Sequence, residues 1–262
     1  TGGDYYDFFS LLDGGLCIAI GDASGHGISA ALIMEETRAS LRALALTGAD
    51  AGAIVALTNR CLVNDLPTGQ FVTMFLARLD PGTRSLVYCS AGHPSGYVLD
   101  QHGKVRLVLQ STNIPLGLDL TAEFLTTPAI TLLTGDLLLL YTDGVTESFS
   151  PEDSLFGIER MLDVVRAHRH KSPAEIVQAL FGAVADYSGN HAQLDDITAV
   201  IIKVEASTLL GLAPPQSAVK NHEPDRDLFC RAARSRVRTV PKLERQSRLS
   251  RWNKYVTEAF PH

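Results

Sequence analysis

The chain has 262 residues, 45% of them hydrophobic and 20% charged, as in a globular protein with a sizeable core. Residues 206–262 carry 11 Lys and Arg against 5 Asp and Glu, so the first 205 residues, with 12 basic and 24 acidic side chains, have a net charge of −12. Such an acidic body argues against a nucleic-acid-binding enzyme, because phosphate backbones attract positive surfaces. No apolar run approaches the ~18 residues of a membrane span, so we expect no membrane insertion.

The cysteines and the start of the chain bear on its location. The four cysteines lie far apart, without the spacing of a zinc site or a disulfide framework. The first residues show no signal peptide and no initiating Met, so we expect a fragment of a longer cytoplasmic protein.

The spacing of apolar residues predicts four helices. Apolar residues recur with helical period over residues 30–45, and a second helix is predicted over residues 54–66, where Pro67 ends it. Later, a stripe over residues 158–165 predicts a third helix. In "SPAE", Ser172 is the predicted N-cap of a fourth, in which Glu175 closes a capping box.

Short apolar strands occupy the middle of the chain. "FVTMFLARL" and "SLVYCSA" flank the turn "DPGTR", and "GYVLD" and "VRLVL" flank "DQHGK", which predicts two hairpins. "LCIAI", "LLLLY" and "ITAVIIKV" are further strands. Two helices, a series of strands, two more helices and a last strand imply an α+β fold with helices packed on antiparallel sheets. We expect a linker and a flexible basic tail after residue 205.

Four acidic positions share an unusual setting. Asp22 and Asp143 each follow an apolar strand and precede glycine within three residues, while Asp4 follows two glycines and Asp195 stands with Asp196 directly before the last strand. The surrounding motifs contain no Lys or Arg. Clustered carboxylates repel one another, so they either take up protons or bind cations. An all-oxygen set favours Mg2+ or Mn2+ over zinc.

Simpler interpretations exist for each of these residues alone. Aspartate commonly forms turns and helix N-caps, and Asp22 could cap the helix that starts near Ile28. The recurrence of the same setting at four positions favours the metal site. Asp7, Asp13 and Asp136 have less distinctive neighbours and are predicted to be structural.

Seven blocks in order resemble one family. They are "GGDYYD", "GDASGHGISAAL", "FVTMFLARLD", "YCSAGHPSGYVL", "IPLGL", "LLTGDLLLLYTDGVTES" and "LDDITAVIIK". Over residues 1–205 the chain resembles the sporulation protein E branch of the metal-dependent, type 2C-like protein serine/threonine phosphatases. The resemblance implies a four-layer αββα sandwich, two antiparallel sheets flanked by helices, with two Mn2+ or Mg2+ ions at one edge.

The resemblance also assigns ligands. It makes Asp4 a ligand in the first acidic motif, Asp22 the bridging carboxylate and the carbonyl of Ala23 a further ligand, with Asp143 and Asp195 completing the set. Asp22 and Asp143 are the implied catalytic residues. Asp196 stands where relatives often have Asn, and we expect it to support a ligand rather than to be one. Ala23 departs from the family's commoner Val or Gly, but only its carbonyl is needed.

The implied activity is hydrolysis of phosphoserine or phosphothreonine by a water activated between the two metal ions. The implied substrate is an anti-anti-sigma-like regulator of bacterial partner switching. We expect the chain to lack the upstream sensory or receiver domain and the N-terminal strand that are usual in the family, and we expect this to weaken the site at Asp4. We also allow for a homodimer.

Other residues and functions stay open. His26, Thr142 and Thr146 could contact water or phosphate near the site, or only shape its turns, whereas His93 is predicted to be structural or pocket-lining. The competing functions are a catalytically silent binding module, a small-molecule phosphatase of the same fold and a haloacid-dehalogenase-like phosphohydrolase. Short hairpins argue against the last, which needs a parallel sheet.

Overall fold

The computed structural model describes residues 2–189 and 195–205, which form four layers in the order helices, sheet, sheet, helices. The elements in chain order are β1 Asp4–Ser10, β2 Leu16–Ala23, α1 Ile28–Ala45, α2 Ala51–Asp65, β3 Val72–Asp80, β4 Ser85–Ala91, β5 Gly96–Leu99, β6 Val105–Leu109, β7 Ile130–Thr131, β8 Leu137–Tyr141, α3 Gly157–His168, α4 Pro173–Ser188 and β9 Ala199–Lys203. The predicted αββα sandwich is therefore confirmed. The predicted linker and tail, residues 206–262, lie outside the described residues.

Both sheets are antiparallel. The first has the order β1-β2-β3-β4-β7 and the second the order β6-β5-β8-β9. The two predicted hairpins are β3–β4 and β5–β6. Within the described ranges β1 pairs only with β2, so it is the edge strand of the first sheet.

Three apolar clusters hold the layers together. The pair α1 and α2 packs on the first sheet, and the pair α3 and α4 packs on the second. Between the sheets, alternate residues of each strand point inward, as the period of two in a strand requires. The buried residues of this central cluster include Ile18, Ile20, Phe75, Leu138, Leu140, Val200 and Ile202.

A local sequence signal accounts for the start of α4. The Ser172 side chain accepts a hydrogen bond from the backbone N–H of Glu175, and the Glu175 carboxylate accepts from the N–H of Ser172 at 3.0 Å, which completes the predicted capping box. By contrast, β1 was not predicted, because its sequence "DYYDFFS" lacks a clear alternation of apolar and polar residues. No helix in the described part of the chain combines the length and the apolar composition needed to cross a bilayer.

Ser172→Ala should lower the free energy of unfolding by about 1 kcal/mol, because the first turn of α4 loses its cap. Urea denaturation followed by circular dichroism measures this change. Ser40→Ala, within α1 and away from its ends, is the control and should be neutral or slightly stabilising. Equal losses in the two variants would contradict the capping role of Ser172.

Candidate metal centre

Three carboxylates meet at one edge of the sandwich. Asp22, Asp143 and Asp195 each offer a carboxylate oxygen, and these oxygens all lie within 4.8 Å of one another. Asp22 and Asp143 are half-buried, and Asp195 is exposed. The structure thus brings together three of the aspartates proposed from sequence as ligands, while their binding of an ion remains a prediction.

Strand ends deliver these side chains. Asp22 lies near the end of β2, on the face that carries Ile18 and Ile20 into the central core. Asp143 begins a 3-10 turn, Asp143–Val145, directly after β8, and its carbonyl accepts the backbone N–H groups of Thr146 and Glu147, both at 2.8 Å. The side chain of Asp22 does not cap α1, whose N-cap is Gly27 without a side-chain hydrogen bond. The alternative capping interpretation of Asp22 is therefore wrong.

Asp4 lies beside this group. It is the direct cross-strand partner of Asp22 in the β1–β2 ladder, and only 5% of its surface is exposed. One of its carboxylate oxygens accepts a hydrogen bond of 2.8 Å from the Thr142 hydroxyl. Asp4 thus lines the same edge, although it does not belong to the group of three whose oxygens converge.

Glycines allow the chain to pass close to the carboxylates. A Cβ atom on Gly3 would lie 2.5 Å from the Ala23 carbonyl oxygen and 2.6 Å from Oδ1 of Asp22. A Cβ on Gly2 would overlap the Asp196 carboxylate, and one on Gly144 would overlap the Asp196 carbonyl oxygen. These contacts explain why the acidic motifs carry glycine, and they place both the Ala23 carbonyl and Asp196 at the site.

The carboxylates act strongly on one another. Burial and, next, the negative charges of Asp4, Asp195 and Asp143 together raise the pKa of Asp22 to about 8. Glu147 has a raised pKa for the same reasons, partial burial and the charges of Asp143 and Asp195. At neutral pH Asp22 therefore favours its protonated form unless a positive charge is supplied.

The structural aspartates differ in having an arginine. Asp7 receives two hydrogen bonds from Arg42, at 2.6 and 2.7 Å. Asp13 pairs with Arg78, and Asp136 pairs with Arg106. Among the described residues, no salt bridge involves Asp22 or Asp143. The converging carboxylates therefore fit a hard divalent cation, which prefers oxygen ligands and would supply the missing positive charge.

The other sequence candidates differ in exposure and in hydrogen-bond partners. His26 is exposed. Thr146 donates to the Asp143 carbonyl at 3.2 Å and so holds the 3-10 turn. His93 is buried, its Nδ1 lies 2.9 Å from the Thr73 hydroxyl, and burial lowers its pKa to about 3. His93 is thus a neutral buried group.

Two residues near the site were not identified from sequence. Thr73 is the cross-strand partner of Asp22 on β3, so Asp4, Asp22 and Thr73 form a row across three strands. Only the strand register reveals this row. Glu147 follows Asp143 by four residues, and its place in the acidic motif "TDGVTES" was the available signal.

Known proteins share this architecture. The SiaA-PP2C domain of Pseudomonas aeruginosa superimposes with a TM-score of 0.68 and 27% identity, covering 77% of this chain and 80% of that domain. The phosphoserine phosphatase RsbU of Bacillus subtilis is 26% identical over 77% of this chain and 59% of its own length. Protein IcfG of Synechocystis sp. is 27% identical over 76% of this chain and 35% of its own length.

The antiparallel sandwich is thus the fold of PP2C-type domains. The model of the family described as Stage II sporulation protein E (SpoIIE) matches residues 12–205, about three quarters of the chain. The chain belongs to the SpoIIE family. It spans about a third to three fifths of the length of these two sequence relatives.

Asp22→Asn should stabilise the metal-free protein at pH 8. The pKa of Asp22 rises from 3.8 in the unfolded chain to about 8 in the folded protein. Between these two pH values the folded protein binds more protons than the unfolded chain. The free energy of unfolding therefore falls as the pH rises from the lower value to the higher one. Removing the charge should add on the order of 1 kcal/mol or more at pH 8 and little near pH 4. Urea denaturation in EDTA at both pH values tests this, with Asp163→Asn on the surface of α3 as control. An Asp22→Asn variant that is less stable than the wild type at pH 8 would refute it.

Gly144→Ala should lower the free energy of unfolding by about 1–3 kcal/mol, because the new methyl group meets the backbone carbonyl of Asp196. Thermal unfolding measures the loss. The control Gly182→Ala, in α4 with no atom within 4 Å of the added carbon, should gain about 0.5–1 kcal/mol. An unchanged Gly144→Ala variant would show that the turn adapts freely.

Proposed function

We propose that this chain is a metal-dependent phosphatase that hydrolyses phosphoserine or phosphothreonine in a protein. The observation that carries the proposal is the convergence of the Asp22, Asp143 and Asp195 oxygens within 4.8 Å at the open edge of the sandwich. The name of RsbU, a phosphoserine phosphatase, and the PP2C domain of SiaA support the same class of activity.

The cluster would hold two Mn2+ or Mg2+ ions. Asp22, Asp143 and Asp195 are the proposed direct ligands, and Asp4 and the Ala23 carbonyl complete the set. Divalent cations in such a setting acidify water and neutralise charge on phosphoryl oxygens. Asp22 and Asp143 are the proposed catalytic residues, because they fix the position of this chemistry at the ends of β2 and β8.

The charges of the chain make substrate binding depend on cations. A phosphate monoester carries close to two negative charges near neutral pH. Asp22 and its acidic neighbours would repel it, and no salt bridge among the described residues supplies Asp22 or Asp143 with a basic partner. Phosphate should therefore enter only after metal has bound, and chelation should abolish substrate binding as well as turnover.

The exposure of the site suits a phosphorylated side chain presented by another protein. Asp195 is exposed, and the carboxylates lie at the rim of the sandwich rather than inside its core. We propose an anti-anti-sigma-like regulator as the substrate, cytoplasmic partner switching as the setting and control by an upstream sensory or receiver domain. A homodimer is compatible with this arrangement.

The second candidate is a catalytically silent binding module of the same fold. The position of Asp4 outside the residues matched by the family model, 12–205, favours this alternative. The two functions differ in one measurable property, since a silent module with this cluster would bind Mn2+ without hydrolysing a phosphate ester.

Hydrolysis of p-nitrophenyl phosphate should require added Mn2+. In Asp143→Asn the rate should fall by more than the loss of about 10- to 100-fold that is typical when the substituted residue only supports a metal ligand. Initial rates over a Mn2+ titration measure this. Asp163→Asn, an exposed aspartate on α3, is the matched control and should retain wild-type rates.

Mn2+-independent activity, or an Asp143→Asn variant as active as the control, would contradict the proposal. Binding of Mn2+ by the wild type without hydrolysis would favour the silent module. A comparison of kcat/KM for a phosphoserine-containing protein with that for free phosphoserine separates a protein phosphatase from a small-molecule phosphatase.

A further inference from the structure

The Thr142 side chain occupies the junction between the two sheets. It is fully buried, and it continues the inward-facing series Leu138 and Leu140 beyond the end of β8. At this point the apolar core gives way to polar side chains. On the second sheet, Thr142 is therefore the polar residue that lies between the apolar core and the acidic cluster.

Its hydroxyl group joins three segments of the chain. It donates to Oδ2 of Asp4 at 2.8 Å and accepts from the backbone N–H of Thr198 at 3.0 Å. A longer contact of 3.5 Å joins it to the Thr198 carbonyl. The backbone N–H of Thr142 also donates to that carbonyl, at 3.0 Å. One hydroxyl thus connects β1, the end of β8 and the entrance to β9.

Each of these segments carries a carboxylate of the cluster. Asp4 is the direct acceptor, Asp143 is the next residue after Thr142, and Asp195 lies three residues before Thr198. Because Asp4 is also the cross-strand partner of Asp22, a shift of Asp4 would disturb Asp22 as well. The hydroxyl is therefore placed to set the relative positions of all four aspartates.

Water does not readily replace this buried hydroxyl. Both Asp4 and Thr198 are almost fully buried, so neither replaces a lost hydrogen bond with water without rearrangement. From the sequence alone, Thr142 could contact water at the site or only shape its turn. In the structure its proton is directed to Asp4 instead, which makes Thr142 a support for the carboxylates.

We propose that Thr142 is a positioning residue that sets the metal affinity of the cluster through Asp4. The inference rests on the proposed function, because it takes the cluster to bind divalent cations. It concerns the geometry of the ligands and predicts a loss of affinity that is separate from any loss of folding stability.

Mn2+ binding to the metal-free protein, measured by isothermal titration calorimetry, tests the proposal. Thr142→Val keeps the shape and removes the hydroxyl, so its Mn2+ affinity should fall by about 10- to 100-fold. Thr142→Ser keeps the hydroxyl and should restore affinity to near the wild-type value. Thr58→Val is the matched control, because the Thr58 hydroxyl is equally buried and donates to the Ile54 carbonyl within α2, which carries none of the four aspartates.

A double-mutant cycle distinguishes positioning from a merely structural role. If Thr142 acts through Asp4, Thr142→Val should weaken Mn2+ binding little in an Asp4→Ala background. Melting temperatures in EDTA report folding stability separately. Thr142→Ala, which also lacks the hydroxyl, provides the same comparison should the valine variant not fold.

The two proposals fail in different ways. Wild-type Mn2+ affinity in Thr142→Val, with or without a lower melting temperature, would overturn the positioning role. An equal loss in Thr58→Val, or a full loss in the Asp4→Ala background, would overturn it too. A wild type that binds Mn2+ but hydrolyses no phosphate ester would instead overturn the proposed function and leave the positioning role testable.

Discussion

The mutual repulsion of carboxylates at one edge of the sandwich is the constraint on which the site depends. Asp22 shares this edge with Asp4, Asp143 and Asp195, and its burial together with their charges raises its pKa to about 8. The fold holds these groups together because each is attached to a strand end or to a turn beside one. The energy of two packed sheets thus maintains an arrangement that the side chains alone would not adopt.

The same alternation that builds the core also builds the site. Inward-facing positions are apolar along most of each strand and become polar at one edge. On the first sheet the polar positions are Asp4, Asp22 and Thr73, and on the second sheet they are Thr142 and Thr198. Core and site are therefore continuous. A change of strand register by one residue would turn the carboxylates away from one another.

The neighbours of an aspartate decide its role in this protein. Asp7, Asp13 and Asp136 each pair with an arginine brought from a distant part of the chain. Asp22 approaches other carboxylates instead, next to glycines that leave room for the backbone. Identical side chains thus become structural ion pairs in one setting and a candidate cation site in another.

Local features of the sequence determined the helices, the two hairpins, the Ser172 cap and the acidic positions beside glycine. These features act over a few residues, so they can be read without knowing the partner strands. Tertiary structure alone decided that β1 forms an edge strand, that Thr73 lies opposite Asp22 and that the Thr142 hydroxyl reaches Asp4 across 138 residues. The physical reason is that strand register and sheet-to-sheet contacts join residues far apart in sequence, and no local pattern encodes those pairings.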